Sequence, residues 1–120
     1  MKNILFTLAL LVCFNSFGQT RENILPQIVE ALNKESPITD PRTGVIMTGA
    51  MSYRNTLVYL YEVPDEWLPT DDMKKTLIDN FQTAEIADLY IKAKINVDFN
   101  YYKRSKLIKR ISIKYTEFKN

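Results

Sequence analysis

Residues 55–63 read Asn-Thr-Leu-Val-Tyr-Leu-Tyr-Glu-Val, and this stretch constrains the chain more than any other. Side chains alternate along a strand, so Leu57, Tyr59, Tyr61 and Val63 share one face, and Val58, Leu60 and Glu62 the other. Only Glu62 is charged, which predicts a strand covered on most of both faces and central to its sheet. The remaining segments are read as partners of this strand.

The chain opens with the pattern of an export signal. Lys2 supplies a positive start, residues 4–14 are apolar except for Thr7, and Ser16 and Gly18 stand two apart as a cleavage site requires. Cleavage after Gly18 leaves Gln19 first. Roughly 11 apolar residues are too few for a bilayer that needs about 20, so no transmembrane segment is expected after cleavage. A lipoprotein signal is the alternative, but Cys13 lies inside the apolar run and follows Val12 rather than a small residue. The expected location is periplasmic or extracellular, with residues 1–18 as signal peptide and 19–120 as a single domain.

Removing the signal narrows the chemistry. Cys13 is the only cysteine and the chain has no histidine. Residues 19–120 therefore have no disulfide, thiol or histidine, and the domain must stand on its core. Ser-His-Asp triads, cysteine nucleophiles and the usual zinc sets are excluded.

A first helix is predicted from the stripe Leu25, Ile28, Val29 and Leu32. Pro26 belongs in a first turn, so this helix should begin near Asn23, and Pro37 should follow its end. Asp40-Pro41-Arg42-Thr43-Gly44 reads as a link. A strand over about residues 44–52 follows, with Val45, Met47, Gly49 and Met51 on one face. Gly49 in mid-strand signals a bulge or a close backbone approach. Met47 and Met51 together would make a thin soft-metal site, and core filling explains them better. Tyr53-Arg54-Asn55 turns the chain into the central strand as a hairpin.

Beyond residue 63 a loop carries Asp65, Glu66 and the only Trp, Trp67. Thr70 is positioned to cap a second helix, with Asp71 and Asp72 in its first turn and Met73, Leu77 and Phe81 as its stripe. Thr83 then caps a third, shorter helix carrying Ile86, Leu89 and Tyr90. Neither helix has a glycine-rich entry, and no cofactor is implied. The carboxylate pairs are read as turn and cap residues rather than as acid-base machinery or a calcium loop. Trp67 is a satellite of the core or, with Tyr102, an exposed aromatic contact.

The last third is a second hairpin. Ile95, Val97, Phe99 and Tyr101 alternate with Asn96, Asp98, Asn100 and Tyr102, and Ile111, Ile113 and Tyr115 continue the apolar face. A longer loop is expected around residues 103–106, where no glycine occurs, and a short tail from Tyr115 onward. Charge is divided unevenly: residues 19–91 carry 6 Lys and Arg against 12 Asp and Glu, and residues 92–120 carry 9 against 2. Lys103, Arg104, Lys106, Lys109 and Arg110 gather around one turn. They are candidate contacts for an acidic protein or an anionic envelope component, or a strand edge protected by its charges. No nucleic acid is expected in this compartment.

The expected order is α-β-β-α-α-β-β: two hairpins making a four-stranded antiparallel sheet with about three helices on it, an α+β domain. Asn33 with Pro37, Leu57-Val58-Tyr59-Leu60-Tyr61 and Phe99-Asn100-Tyr101-Tyr102 together resemble a group of small, signal-bearing bacterial envelope proteins. Members of that group often carry cysteines where this chain has Phe81-Gln82 and its C-terminal tail. The resemblance implies fold and compartment, and no activity or site. The function expected is a non-enzymatic binding module. The alternatives are an inhibitor or immunity-type protein that blocks a partner, and a carboxylate- or tyrosine-dependent hydrolase.

Overall fold

A computed structural model of the chain describes residues 21–84 and 87–118. The segment expected to be a signal, the cleavage site expected after Gly18, and Ile86 lie outside the described residues. The elements run α1 (Arg21–Glu35), β1 (Ile38–Thr39), β2 (Ile46–Tyr53), β3 (Thr56–Glu62), α2 (Met73–Thr83), α3 (Ala87–Ala93), β4 (Asn96–Lys103) and β5 (Lys106–Ile113). A 3₁₀ turn, Tyr115–Glu117, follows. The class is α+β.

The sheet corrects the expected four antiparallel strands. It has five, in the order β1-β2-β3-β4-β5, and β3 pairs with β4 in parallel while the other pairs are antiparallel. The cause is the long connection through α2 and α3. It carries the chain from the end of β3 back to its beginning, so Asn96 enters beside Thr56. The link after α1 also supplies a strand, because Ile38 and Thr39 pair with Met47 and Ile46.

β3 is the central strand, and its alternation is the axis of the core. Leu57, Tyr59 and Tyr61 are buried on the face that also receives Val97, Phe99, Tyr101, Ile111 and Ile113. Ile24, Leu25, Ile28 and Leu32 of α1 join the same cluster, with Leu77 and Phe81 of α2 and Tyr90 of α3. All three described helices thus cover one side of the sheet. Aromatic rings run through this layer: Tyr59 stacks on Phe99 at 5.0 Å, and Phe81 meets Tyr90 and Phe99 edge-on.

Local signals were met and overridden in identifiable places. Gly49 sits at a bulge between Met47 and Gly49, as its mid-strand position announces. The extra residue reverses the alternation, so Met47 and Ala50 are buried while Met51 is exposed. The two methionines therefore do not share a face. α1 is already formed at Arg21, which places Asn23 and Pro26 inside the helix rather than at its start. α2 begins at Met73 with Asp72 at its N-cap position, later than Thr70, so Asp71 and Asp72 precede its first turn. Residues 115–118 are not a loose tail: Phe118 is buried and stacks on Phe81 at 5.2 Å.

Candidate functional site

The second face of the sheet is the surface on which partner contacts can be built. Val58, Leu60 and Glu62 point away from the helices, and the register extends their rows across the neighbouring strands. Met51, Val58, Asp98 and Ser112 form one row; Leu60, Asn100 and Arg110 form the next; Glu62, Tyr102 and Leu107 form the third. The large apolar side chains most exposed here and at the rims are Tyr53 (63%), Met51 (48%), Leu107 (40%) and Ile108 (37%). The Arg54 guanidinium lies 5.3 Å from the centre of the Tyr53 ring, a cation-π contact at the sheet's end.

Asn100 is the buried polar residue of this face. Its side-chain oxygen accepts from Arg110 Nε at 2.9 Å, so the guanidinium of an exposed arginine is tied to the middle of the sheet. A polar group out of water needs such a partner. Alternation alone places Asn100 on the outward face, and nothing local marks it as covered.

The basic residues expected to act together are divided by the hairpin. The β4–β5 connection is a two-residue turn with Arg104 and Ser105 both at positive φ, 52° and 68°, rather than a longer loop. The strand twist selects that backbone, and no glycine is there to relieve it. Arg104 donates from Nε to Asp65 at 3.0 Å, and its backbone N–H donates to Glu62 Oε2 at 2.9 Å. The Arg104 hydrogen bond holds the Asp65 carboxyl below its ordinary pKa, and the same pair raises that of Arg104. Lys103 Nζ donates to the Trp67 carbonyl at 3.2 Å. Trp67 is half-buried and stacks on Tyr101 at 5.1 Å.

Lys109 is the ladder partner of Tyr101 and so projects on the helix side, whereas Arg110 projects on the open face beside Asn100. Lys106 pairs across from Lys103. Lys106 and Lys109 make no ion pair among the described residues. Of the two aromatics expected as exposed, Trp67 and Tyr102 are both half-buried. The aromatic that does stand out is Tyr53, which sequence reading placed only in a turn. Its signal was its position at a strand end beside Arg54.

The groups that would serve acid-base chemistry are dispersed or engaged. Thr70 Oγ1 donates to Asp72 at 2.7 Å, while Glu66 and Asp71 are exposed. Burial raises the pKa of Tyr61 well above its ordinary value, with the neighbouring Tyr101 adding to the effect, and burial likewise raises Tyr101. Among the described residues, no group of three or more Asp or Glu side chains is gathered as a metal cage. No described helix is long and apolar enough to cross a membrane.

Comparison with protein families, with curated proteins and with solved structures finds no match to this chain.

Proposed function

We propose that this chain is an exported interaction module, without enzymatic activity, that meets a protein partner through the open face of its sheet. One observation carries the proposal: the helices occupy one side of the sheet, and the other displays Met51, Tyr53, Leu107 and Ile108 with Arg54 and Arg110 among them. Aromatic residues, methionine and arginine are the types enriched where proteins meet. The exposed apolar side chains stand at both rims of this face, on β2 and on β5, with polar residues between them, as in a contact surface of mixed character.

An inhibitor or immunity-type role would use the same surface to block its partner. A carboxylate- or tyrosine-dependent hydrolase is less well supported: Tyr61 and Tyr101 are buried, which raises their pKa further above the ordinary value, and Asp65 and Asp72 are engaged by Arg104 and Thr70. Export, membership of the envelope-protein group and the periplasmic or extracellular location belong to the same proposal, resting on residues 2–18 and on the motifs in the helix and strands.

Site-specific photo-crosslinking tests it. A crosslinking residue is placed at Met51 or Ile108 on the exposed strands, and at Glu30 or Lys75 on the exposed sides of the helices. Each variant is then mixed with envelope extract. The expected result is a discrete adduct from the sheet positions alone. Equal adducts from all four positions, or none from the sheet, would refute it.

A further inference from the structure

The two edges of the sheet are guarded very differently. At the β2 edge, β1 pairs with Ile46 and Met47. Farther along the same strand, Asn33 stands in for a neighbouring strand. Its Oδ1 accepts from the Ala50 N–H at 2.8 Å, and its Nδ2 donates to the Ala50 carbonyl at 3.0 Å. A side-chain amide can satisfy both backbone groups of one residue in this way. At the other edge, β5 pairs only with β4, and no described element lies beyond it.

β5 has the features of a receiving strand. It is eight residues long, with five exposed residues in succession from Lys106 to Arg110. It contains no proline, so every residue keeps its backbone N–H. The irregularity near Ile108 twists one end, while residues 109–113 stay in unbroken register with β4. An exposed edge is a template for another strand, and charge decides which strand it accepts. Here Lys109 projects on one face and Arg110 on the other, with Lys106 before them and Lys114 after. A second copy of β5 would bring like charges together across the new ladder, which is destabilising. An extended segment carrying carboxylates meets the opposite condition on both faces.

We propose that β5 is the receiving edge for an extended acidic peptide segment of a partner protein, which adds along residues 109–113 as a sixth strand. Backbone hydrogen bonds supply the attachment and the cations supply the selection. This rests on the view that the chain is an interaction module, but it uses the sheet's edge rather than its face.

The test uses the full chain and two synthetic peptides, one built of alternating Glu-Glu and Val-Thr pairs and one with Lys replacing each Glu. Amide hydrogen exchange is followed residue by residue, at low and at physiological salt. The acidic peptide should slow exchange at the amides of residues 109–113 that face outward, more strongly at low salt, and the basic peptide should not. The paired changes Lys109→Glu and Arg110→Glu should weaken binding by about tenfold or more. Tyr53→Ser, which alters the open face, should leave the protection of β5 intact. Absence of slowing at these amides overturns the proposal, whether or not the acidic peptide binds. Equal effects of the two peptides, or β5 protection that grows with protein concentration alone, also overturn it. Crosslinking from Met51 that persists in such a case would separate failure of the edge from failure of the face.

Discussion

Replacing Gly49 with alanine probes a close approach between α1 and the sheet. A Cβ built on Gly49 lies 2.8 Å from Asn33 Oδ1, closer than real Cβ atoms come to a neighbour. The backbone of Gly49 is not in the left-handed region, so the obstacle is this oxygen and not the chain conformation. Oδ1 cannot simply swing aside, because the Asn33 amide is held by both of its bonds to Ala50. The new methyl should therefore displace the amide and break the pair. Each such bond contributes about 0.5–1.5 kcal/mol net, so losing both costs about 1–3 kcal/mol. Asn33 is exposed, so its own amide returns to water, which places the expected loss at about 1–2 kcal/mol.

Asn33→Ala removes the same two bonds by another route. In that background the Gly49→Ala methyl meets no oxygen, so the double variant should be about as stable as either single one. The coupling should be about 1–2 kcal/mol, well above the few tenths expected of independent sites. Urea denaturation resolves it: with a slope of about 2 kcal/mol per molar, each single change should lower the midpoint by roughly 0.5–1 M. Strictly additive losses in the double variant would show that methyl and amide do not compete for one space.

Three further outcomes are expected. Tyr59→Ala removes a fully buried ring stacked on Phe99 and should cost about 3–5 kcal/mol, whereas Lys109→Ala on the exposed edge should change stability by less than about 0.5 kcal/mol; equal urea midpoints would contradict the placement of Tyr59. Because burial raises the pKa of Tyr61 and Tyr101, the unfolded chain releases their protons above about pH 10 while the folded one keeps them, so stability is fully present below that pH and falls as pH rises beyond it. An alkaline titration should show these phenols ionising together with loss of circular dichroism, and ionisation at the ordinary pKa with the fold intact would contradict it. The exported protein should begin at Gln19 with no lipid attached, and an intact mass carrying a diacylglycerol on Cys13 would exclude that.

Much of the layering was legible because one period reports it. Alternation in β3, β4 and β5 separates Tyr59, Phe99 and Ile111 from Val58, Asp98 and Ser112, and the register of these three strands keeps the two sets on opposite faces. The stripe of α1 and the place of the bulge at Gly49 were legible for the same reason, since both are properties of a few neighbouring residues. Of the candidate site, the five cations were visible as a cluster in sequence. Their division was legible only in part: alternation sets the consecutive Lys109 and Arg110 on opposite faces, whereas the irregularity near Ile108 and the pull of Asp65 on Arg104 depend on neighbours distant in the chain.

What only the tertiary structure decided are the relations between distant segments. Periodicity states which side of a strand is buried and is silent on which strand lies next to it. The parallel pairing of β3 with β4 follows from the return path through α2 and α3, and that path carries no local mark. The burial of Phe118 depends on a gap beside Phe81 that exists only once the helices are docked. Asn100 is covered because Arg110 reaches it from the next strand, and Met51 is exposed because a bulge turns β2 over before it. Composition and alternation by themselves determined a histidine-free α+β fold with no cysteine after Cys13, centred on residues 55–63. The direction of its central pair, and the face and edge that no described element covers, were settled by contacts between residues far apart in the chain, where loop closure rather than local preference selects the neighbour.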